Sequence, residues 1–416
     1  MDDVFIVGAF STAFGKRPQD SLKDLTREAY LGVLADAGMS DGRDVEFAYF
    51  GNCTMHRVGQ TSIRGQVCFT PLVREGLFPE RVPMINVENA CATSSSAIHS
   101  AWKDVLAGQS DLVLAFGVEK IYEPAPGASS VSDFGGGIDQ LDPREWVDYY
   151  RAAASQTGKA FERGSDRSIF MDTYAMQALY HMRRYGTTQR QLAIAAAKTH
   201  NNGALNPKAQ YRFEMTPEAV LEDRVVSYPL TRAMCAPIGD GAAAVLVCSA
   251  DYLKGLDAKV RDRAVKIRAS VLTGGKYRAL DEPGLTHVAG RKAYQMAGLT
   301  PQDVDIAEVH DATSFSEIYQ SEMLGFCPEG EGGKFIESGA AHRDGRLPLN
   351  VSGGLVSKGH PVAATGASMV GELVQQLRGE AGARQIPDVE IALAENGGGV
   401  IGFDEAVCSV TILERA

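Results

Sequence analysis

What this chain of 416 residues lacks excludes several classes of protein at once. No apolar run approaches the roughly 18 residues needed to cross a bilayer, so no membrane association is expected. Met1-Asp2-Asp3-Val4-Phe5-Ile6-Val7 enters a strand without a basic leader, and Leu413-Glu414-Arg415-Ala416 is not a peroxisomal address, so the expected location is cytoplasmic. Positive charge is scarce: 41 Lys and Arg stand against 52 Asp and Glu, a net charge of −11, which argues against nucleic acid as a partner. The seven cysteines, at 53, 68, 91, 235, 248, 327 and 408, are odd in number and contain no CxxC pair. Cys53 and His56 resemble half of a zinc site, but no second half follows, so no bound metal is expected. Free thiols in a reducing compartment are the simpler expectation.

Among what is present, 44% hydrophobic and 22% charged residues are the proportions of a soluble globular protein with room for two or three domains. The stretch Asn89-Ala90-Cys91-Ala92-Thr93-Ser94-Ser95-Ser96 puts a lone cysteine where a loop turns into a helix. A short strand is expected over 82–87, and a helix from the cysteine to Gly108 through Ala101, Trp102, Val105 and Leu106. At a helix's first turn, unpaired N–H groups and the positive end of the dipole favour a thiolate, the nucleophilic form. The plainer alternative is a cysteine serving as a small buried hydrophobe.

The pattern around Cys91 is written twice. A strand at 4–8, a helix capped by Ser21 and closing at Gly38, and a strand at 44–50 ending in Gly51-Asn52-Cys53 match a helix at 291–297, Gly298, and a strand at 303–309 ending in His310-Asp311-Ala312. Residues 91–108 with the strand 111–117 match 363–379 with the strand 388–394. Such a long period suggests a duplicated α/β domain, with mostly parallel sheets covered on both faces. In open α/β sheets ligands bind beyond the carboxyl ends of strands, where Cys91, His310 and His360 all fall. If the halves face each other, the three meet in one cleft. The expected division is a first half over 1–120, an inserted lid over 121–232, a return strand over 233–265 and a second half over 266–416.

Four motifs in this order resemble the thiolase superfamily over essentially the whole chain: Asn89-Ala90-Cys91-Ala92, Gly239-Asp240-Gly241-Ala242-Ala243-Ala244, residues 350–366 around Gly359-His360-Pro361, and Gly397-Gly398-Gly399. His310-Asp311 and the loop Leu324-Gly325-Phe326-Cys327-Pro328 look like the sterol-carrier-protein-2 type within it. The resemblance implies the thiolase fold, two duplicated α/β halves in a five-layer αβαβα arrangement with an inserted lid. It also implies a homodimer or higher assembly and acyl-CoA and CoA as substrates, with no permanently bound cofactor. Relatives of this type work with a small zinc-containing OB-fold subunit, which the resemblance allows here. The residues that hold CoA are not assigned by any motif.

By the same resemblance Cys91 is the acyl-accepting nucleophile and His360 the base that activates it. His360 and His310 together would polarise the thioester oxygen of the second substrate, and the amides of Cys91 and Gly397 would form the other oxyanion hole. Such donors are needed because acyl transfer builds charge on a carbonyl oxygen, and each preplaced donor contributes about 3 kcal/mol. One departure matters: thiolases supply the second acid/base as a cysteine, whereas the two positions concerned hold Glu395 and Ala312. Glu395 is expected either to shuttle the proton, with a pKa raised by burial, or only to hold the glycine loop. Cys235, Cys327, His99, His181 and His200 are expected to be structural, whereas His56 follows a strand end and could line the cleft.

The function expected is cleavage of a 3-oxoacyl-CoA, or the reverse Claisen condensation, through acyl-Cys91, on a bulky branched or aromatic acyl group. Small Ala363-Ala364, where relatives carry Leu-Gly, point the same way. The alternatives are another acyltransferase or a retro-aldolase of the same fold, or a CoA-binding subunit without catalysis, and fold alone does not choose among them.

Overall fold

The computed structural model describes residues 3–122, 134–164 and 168–416. Its strands are β1 (Val4–Ser11), β2 (Phe47–Gly51), β3 (Met84–Val87), β4 (Leu112–Glu119), the hairpin β5 (Val225–Ser227) and β6 (Leu230–Thr231), β7 (Gly241–Ser249), β8 (Val265–Gly274), β9 (Ile306–Glu308), β10 (Ile391–Gly398) and β11 (Val407–Arg415). The helices used below are α1 (Leu22–Asp36), α2 (Arg64–Arg74), α3 (Thr93–Leu106), α4 (Ile169–Tyr185), α5 (Gln189–Ala204), α6 (Leu285–Ala297), α7 (Ser314–Met323) and α8 (Thr365–Arg378). Among the described residues no helix is long and apolar enough to cross a membrane.

Nine strands form one sheet in the order β3-β2-β4-β7-β1-β8-β11-β10-β9. The duplication is visible in it: β2, β4, β7 and β1 of the first half correspond to β9, β10, β11 and β8 of the second. The counterpart of β3 is reduced to a single parallel bridge between Leu349 and Ala307. The halves meet where β1 pairs with β8 through Phe5 and Ile6 opposite Lys266 and Val265.

The expectation of mostly parallel sheets is corrected. Parallel pairing holds for β3/β2, β2/β4 and β9/β10, but β4/β7, β7/β1, β8/β11 and β10/β11 are antiparallel. For β10 and β11 the cause is connection length. β10 and β11 are separated only by residues 399–406, too few for the helical crossover that a parallel pair requires.

Three packed cores separate the layers. Leu25, Ala29 and Val33 of α1 and Phe69 and Leu72 of α2 cover one face of the first half, against Leu112, Leu114 and Phe116. Ala97, Ile98 and Ala101 of α3 and Val370, Leu373 and Val374 of α8 fill the middle, between Ala115 and Val245 on one side and Ala392 and Ala394 on the other. Ala289 and Ala293 of α6 close the far face over Leu393 and Val410. The result is the αβαβα stack. The excursion after β4 is built onto the second half: Ala175, Ala178, Leu192 and Ala196 of α4 and α5 enter that last core. Trp146, Tyr150, Phe161 and Met176 make a smaller one with Leu280, Val400 and Phe403.

One carboxylate ties the halves together. Asp36, at the end of α1, accepts from Ala9 N at 2.8 Å, from Arg378 Nη1 of α8 at 2.8 Å and from Arg263 Nη2 at 2.8 Å. Burial by itself would raise its pKa, but Arg378 and the Ala9 N–H outweigh it and hold the group below the usual carboxylate range. The Arg378 side chain is only 2% exposed, so removing its partner strands a buried guanidinium. Asp36→Ala is therefore expected to lower stability by about 3–5 kcal/mol, read as a drop in denaturation midpoint with unchanged slope.

Candidate active site

The loop after β3 ends in a single 3₁₀ turn, Ala90–Ala92, which runs directly into α3. Ala90 takes φ 47°, a left-handed conformation unusual for alanine, and is fixed in it by its neighbours. Its N–H donates to Glu88 Oε1 at 2.7 Å, and Thr93 Oγ1 accepts from Asn89 N at 2.9 Å while donating to Ala90 O at 2.7 Å. Cys91 is thus held at a helix start, as its sequence context suggests.

His360 arrives from the second half on a loop built by glycines. Gly353, Gly354 and Gly359 have φ of 99°, 50° and 109°, a region open to glycine, around the π turn Gly354–Lys358. Asp311, next to His310, accepts from Leu355 N at 2.6 Å and anchors this loop. His360 Nε2 then lies 3.2 Å from Cys91 Sγ. On its other side His360 Nδ1 is 2.7 Å from Thr365 Oγ1, whose own proton goes to Pro361 O at 3.2 Å. Thr365 can therefore only accept from the ring, so Nδ1 carries the hydrogen and Nε2 faces the sulfur as an acceptor.

His310 completes the group. Its ring centroid is 5.5 Å from that of His360, at 63°. It is 2% exposed, and its Nε2 is buried without a hydrogen-bond partner. The ligand atoms of Cys91, His310 and His360 all lie within 4.8 Å of one another, close enough for a metal ion, but the sulfur is already joined to an imidazole that can take its proton.

The expected resting thiolate is corrected. Burial pushes the Cys91 thiol up to about 12, against the opposing pull of the Gly399 and Cys91 backbone N–H groups. Burial also lowers His310 to about 4, and burial with the neighbouring His310 holds His360 well below the ordinary histidine value. The helix terminus is outweighed by the loss of water, so the resting pair is a neutral thiol on a neutral imidazole. Ionisation is then coupled to attack on a substrate.

Glu395 stands beside this group. Its Oε2 accepts from His310 N at 3.0 Å, and its Oε1 accepts from Thr286 Oγ1 at 3.1 Å and from Cys408 Sγ at 3.5 Å. Burial, and then the nearby Glu405, raise it to about 7, a value suited to both giving and taking a proton near neutrality. Gly397 sits opposite Cys408 in the β10/β11 pairing, and a Cβ there would overlap the side chain of Glu405. A Cβ on Gly398 would overlap Asn89 O and Ala92 N. The amide that reaches the Cys91 sulfur belongs to Gly399, two residues beyond the one singled out from the motif.

His56, His99, His181 and His200 are engaged elsewhere. His56 is exposed, with Nδ1 at 3.1 Å from Cys53 O, and His99 meets Ser270 Oγ at 3.0 Å. His181 meets Glu322 Oε2 at 3.0 Å, and His200 meets Ala233 O at 3.0 Å. Burial pushes Cys235 and Cys327 each up to about 12. Two residues were missed in the sequence. Glu119, fully buried at the end of β4, accepts from Cys53 N at 3.1 Å, Thr54 N at 3.0 Å and Ala363 N at 3.2 Å, and so pins the first half to the loop after His360. Tyr174 of α4 packs against the small buried cluster of Ala312, Leu355 and Met369. Neither carries a local signal, because their partners are far away in the chain.

A cysteine on an imidazole base, between the facing ends of two duplicated α/β halves, defines an enzyme of acyl transfer. The chain belongs to the thiolase family: residues 4–227 match the model of the thiolase N-terminal domain and residues 283–414 that of the thiolase C-terminal domain-like family. It is 37% identical over 410 residues to an acetyl-CoA acetyltransferase of Methanothermobacter thermautotrophicus, covering 97% of this chain and 98% of the relative. It is 32% identical to the benzoylsuccinyl-CoA thiolase subunit BbsB of Thauera aromatica, covering 95% and 94%. Sterol carrier protein 2 of Bos taurus is also 32% identical, covering 97% of this chain and 73% of the relative. Human mitochondrial 3-ketoacyl-CoA thiolase shares the fold, with a TM-score of 0.67 at 17% identity over 99% of this chain and 98% of that one.

Proposed function

We propose that this enzyme interconverts a 3-oxoacyl-CoA with two shorter thioesters through an acyl group carried on Cys91. The observation that carries the reading is the 3.2 Å contact of a neutral Cys91 thiol with the acceptor nitrogen of His360. In the cleavage direction His360 Nε2 takes the thiol proton as the sulfur attacks the 3-oxo carbon, and the oxyanion forms against the amides of Cys91 and Gly399, the two that reach the sulfur, in place of the Gly397 amide the motif suggests. The C2–C3 bond breaks, leaving an enolate whose oxygen is met by His310 and His360. Glu395 protonates C2. CoA thiol then attacks acyl-Cys91, its proton goes to Glu395, and His360 returns its proton to the sulfur, so that every group ends as it began.

The relatives named for acetyl-CoA acetyltransferase and for a benzoylsuccinyl-CoA thiolase support CoA thioesters as substrates. The second name, together with small Ala363 and Ala364, favours a bulky acyl group. That relative is by its name one subunit of an enzyme, which favours a second subunit here; the resemblance to the sterol-carrier-protein-2 type makes a small zinc-containing OB-fold (DUF35) subunit the candidate. We place the protein in the cytoplasm as a homodimer, with CoA as a substrate and residues 121–232 as the segment that covers the acyl group.

Intact-mass spectrometry after brief incubation with a panel of acyl-CoAs and 3-oxoacyl-CoAs tests the reading. The expected result is an adduct whose mass names the acyl group and which is missing in Cys91→Ala. Binding of CoA esters with no adduct from any donor would instead favour a retro-aldolase or a non-catalytic subunit.

A further inference from the structure

A cavity outside the group of Cys91, His310 and His360 gathers positive charge. It has a volume of about 320 Å³ and lies between the end of β1, the turn after α5, the residue Lys358 and one side of α8. Its wall carries three cations, Lys208, Lys358 and Arg384, against one carboxylate, Glu372. Lys358 is the unusual member. Its side chain is 4% exposed, and its Nζ has no hydrogen-bond partner among the described residues. Glu308 Oε2 lies 3.7 Å from that nitrogen, beyond hydrogen-bond reach. An ammonium buried this deeply is costly unless acceptors meet its hydrogens.

The carboxylates nearby are already engaged. Ser352 N donates to Glu308 Oε1 at 3.0 Å and Ser352 Oγ donates to Oε2, while burial raises that carboxyl above its usual range. Glu372 accepts from Gln376 Nε2 at 3.0 Å and from Arg384 Nε and Nη2 at 3.1 and 3.0 Å. Lys208 Nζ gives one hydrogen to Ser11 O at 2.6 Å, and Gln375 Oε1 accepts from Arg384 Nη2 at 3.1 Å. Donors remain in excess. Among the described residues Ser368 Oγ, Gln375 Nε2 and Arg384 Nη1 meet no acceptor, and all three residues line the same cavity as Lys358. Spare hydrogens from the turn before His360, from α8 and from the segment after it therefore face one space, with net positive charge around it.

We propose that this cavity binds a small inorganic oxyanion of the phosphate class, held by Lys358 Nζ, Ser368 Oγ and Arg384 Nη1. A tetrahedral oxyanion presents acceptor oxygens in several directions at once, which suits donors that arrive from three elements, and charge-assisted bonds to Lys and Arg are the strong ones. The free ion fits better than the phosphate of a nucleotide, because Lys358, Ser368, Glu372 and Arg384 are all buried and leave little room for an attached chain. A bound ion braces the turn Gly354–Lys358, which leads directly into His360. The site therefore couples the anion to the loop that carries the base of Cys91, without contact with the reacting atoms.

Calorimetric titration of the full-length protein with orthophosphate, at ionic strength held constant with potassium chloride, tests the site. The expected result is saturable binding of one ion per chain, with a melting temperature that rises as phosphate is added. Lys358→Met should weaken binding by about tenfold or more, the scale of one lost charge-assisted hydrogen bond. Ser368→Asp is the second variant, useful if the first disturbs the turn before His360. Its carboxylate supplies the anion from α8 itself, so the folded variant should lose the phosphate response altogether. Heat that does not saturate, or wild-type affinity in either variant, would overturn the site and leave water as the partner of Lys358. Displacement of the bound phosphate by CoA but not by 3′-dephospho-CoA would overturn the free ion as occupant and assign the cavity to the nucleotide. None of these outcomes depends on acyl transfer to Cys91, so the site and the thiolase reading stand or fall separately.

Discussion

Replacing His360 by alanine is expected to slow acylation of Cys91 by about 10⁴-fold, the scale lost when a nucleophile is separated from its base. The size follows from the buried sulfur. With its pKa at about 12, on the order of one thiol in 10⁵ is ionised at neutral pH, so unaided attack has almost no reactive form to draw on. The variant should also change the pH dependence. His360 is held well below the ordinary histidine value and stays a neutral base across the neutral range, so the wild-type acylation rate is flat there. Without that base the rate should climb about tenfold per pH unit as thiolate forms on its own. A flat profile in His360→Ala, or a rate within tenfold of wild type, would show that another group takes the Cys91 proton.

Glu395→Gln is the second large effect. The amide is isosteric, and its oxygen can still accept from His310 N, so the loop is kept while the acid is removed. Cleavage and condensation are each expected to fall by about 10²–10⁴-fold, whereas transfer of an acyl group to Cys91 from a simple acyl-CoA is nearly unchanged. In the wild type the cleavage direction needs the protonated carboxyl and should decline as pH rises through about 7. Condensation needs the carboxylate and should rise over the same range. Stability carries the same sign: a folded-state pKa above the unfolded 4.5 contributes stability below that value, lost as pH rises through about 7. Glu395→Gln should therefore be at least as stable as wild type at pH 8. Full turnover in this variant would leave Glu395 with only its hydrogen bonds to His310 and Thr286.

Much of this site was legible in the residues, and the illegible part has a common cause. Cys91 at a loop-to-helix junction and the doubled strand-helix pattern depend on neighbours in sequence, and both stand in the fold. His310 and His360 are placed by short motifs on short loops. The parallel sheets failed because strand direction depends on how the chain returns, and β11 follows β10 after a link too short for a covering helix. Glu119 and Tyr174 were not found because the groups each one meets lie on other elements far along the chain.

The sequence by itself determined the duplication, a cysteine at a helix start, two histidines at the ends of strands and loops, and a glutamate at one of the positions where the thiolase resemblance leads one to expect a second cysteine. Only the tertiary structure decided the state in which these groups wait. Cys91 and His360 are 269 residues apart, and their 3.2 Å contact exists because the two halves pack against each other at this point. Whether the sulfur is a thiol, which nitrogen of His360 faces it, and whether Glu395 titrates near neutrality are set by water excluded from all sides and by Thr365, Thr286 and His310 N–H. Desolvation sums over every group packed around an atom, and no stretch of neighbouring residues contains that sum.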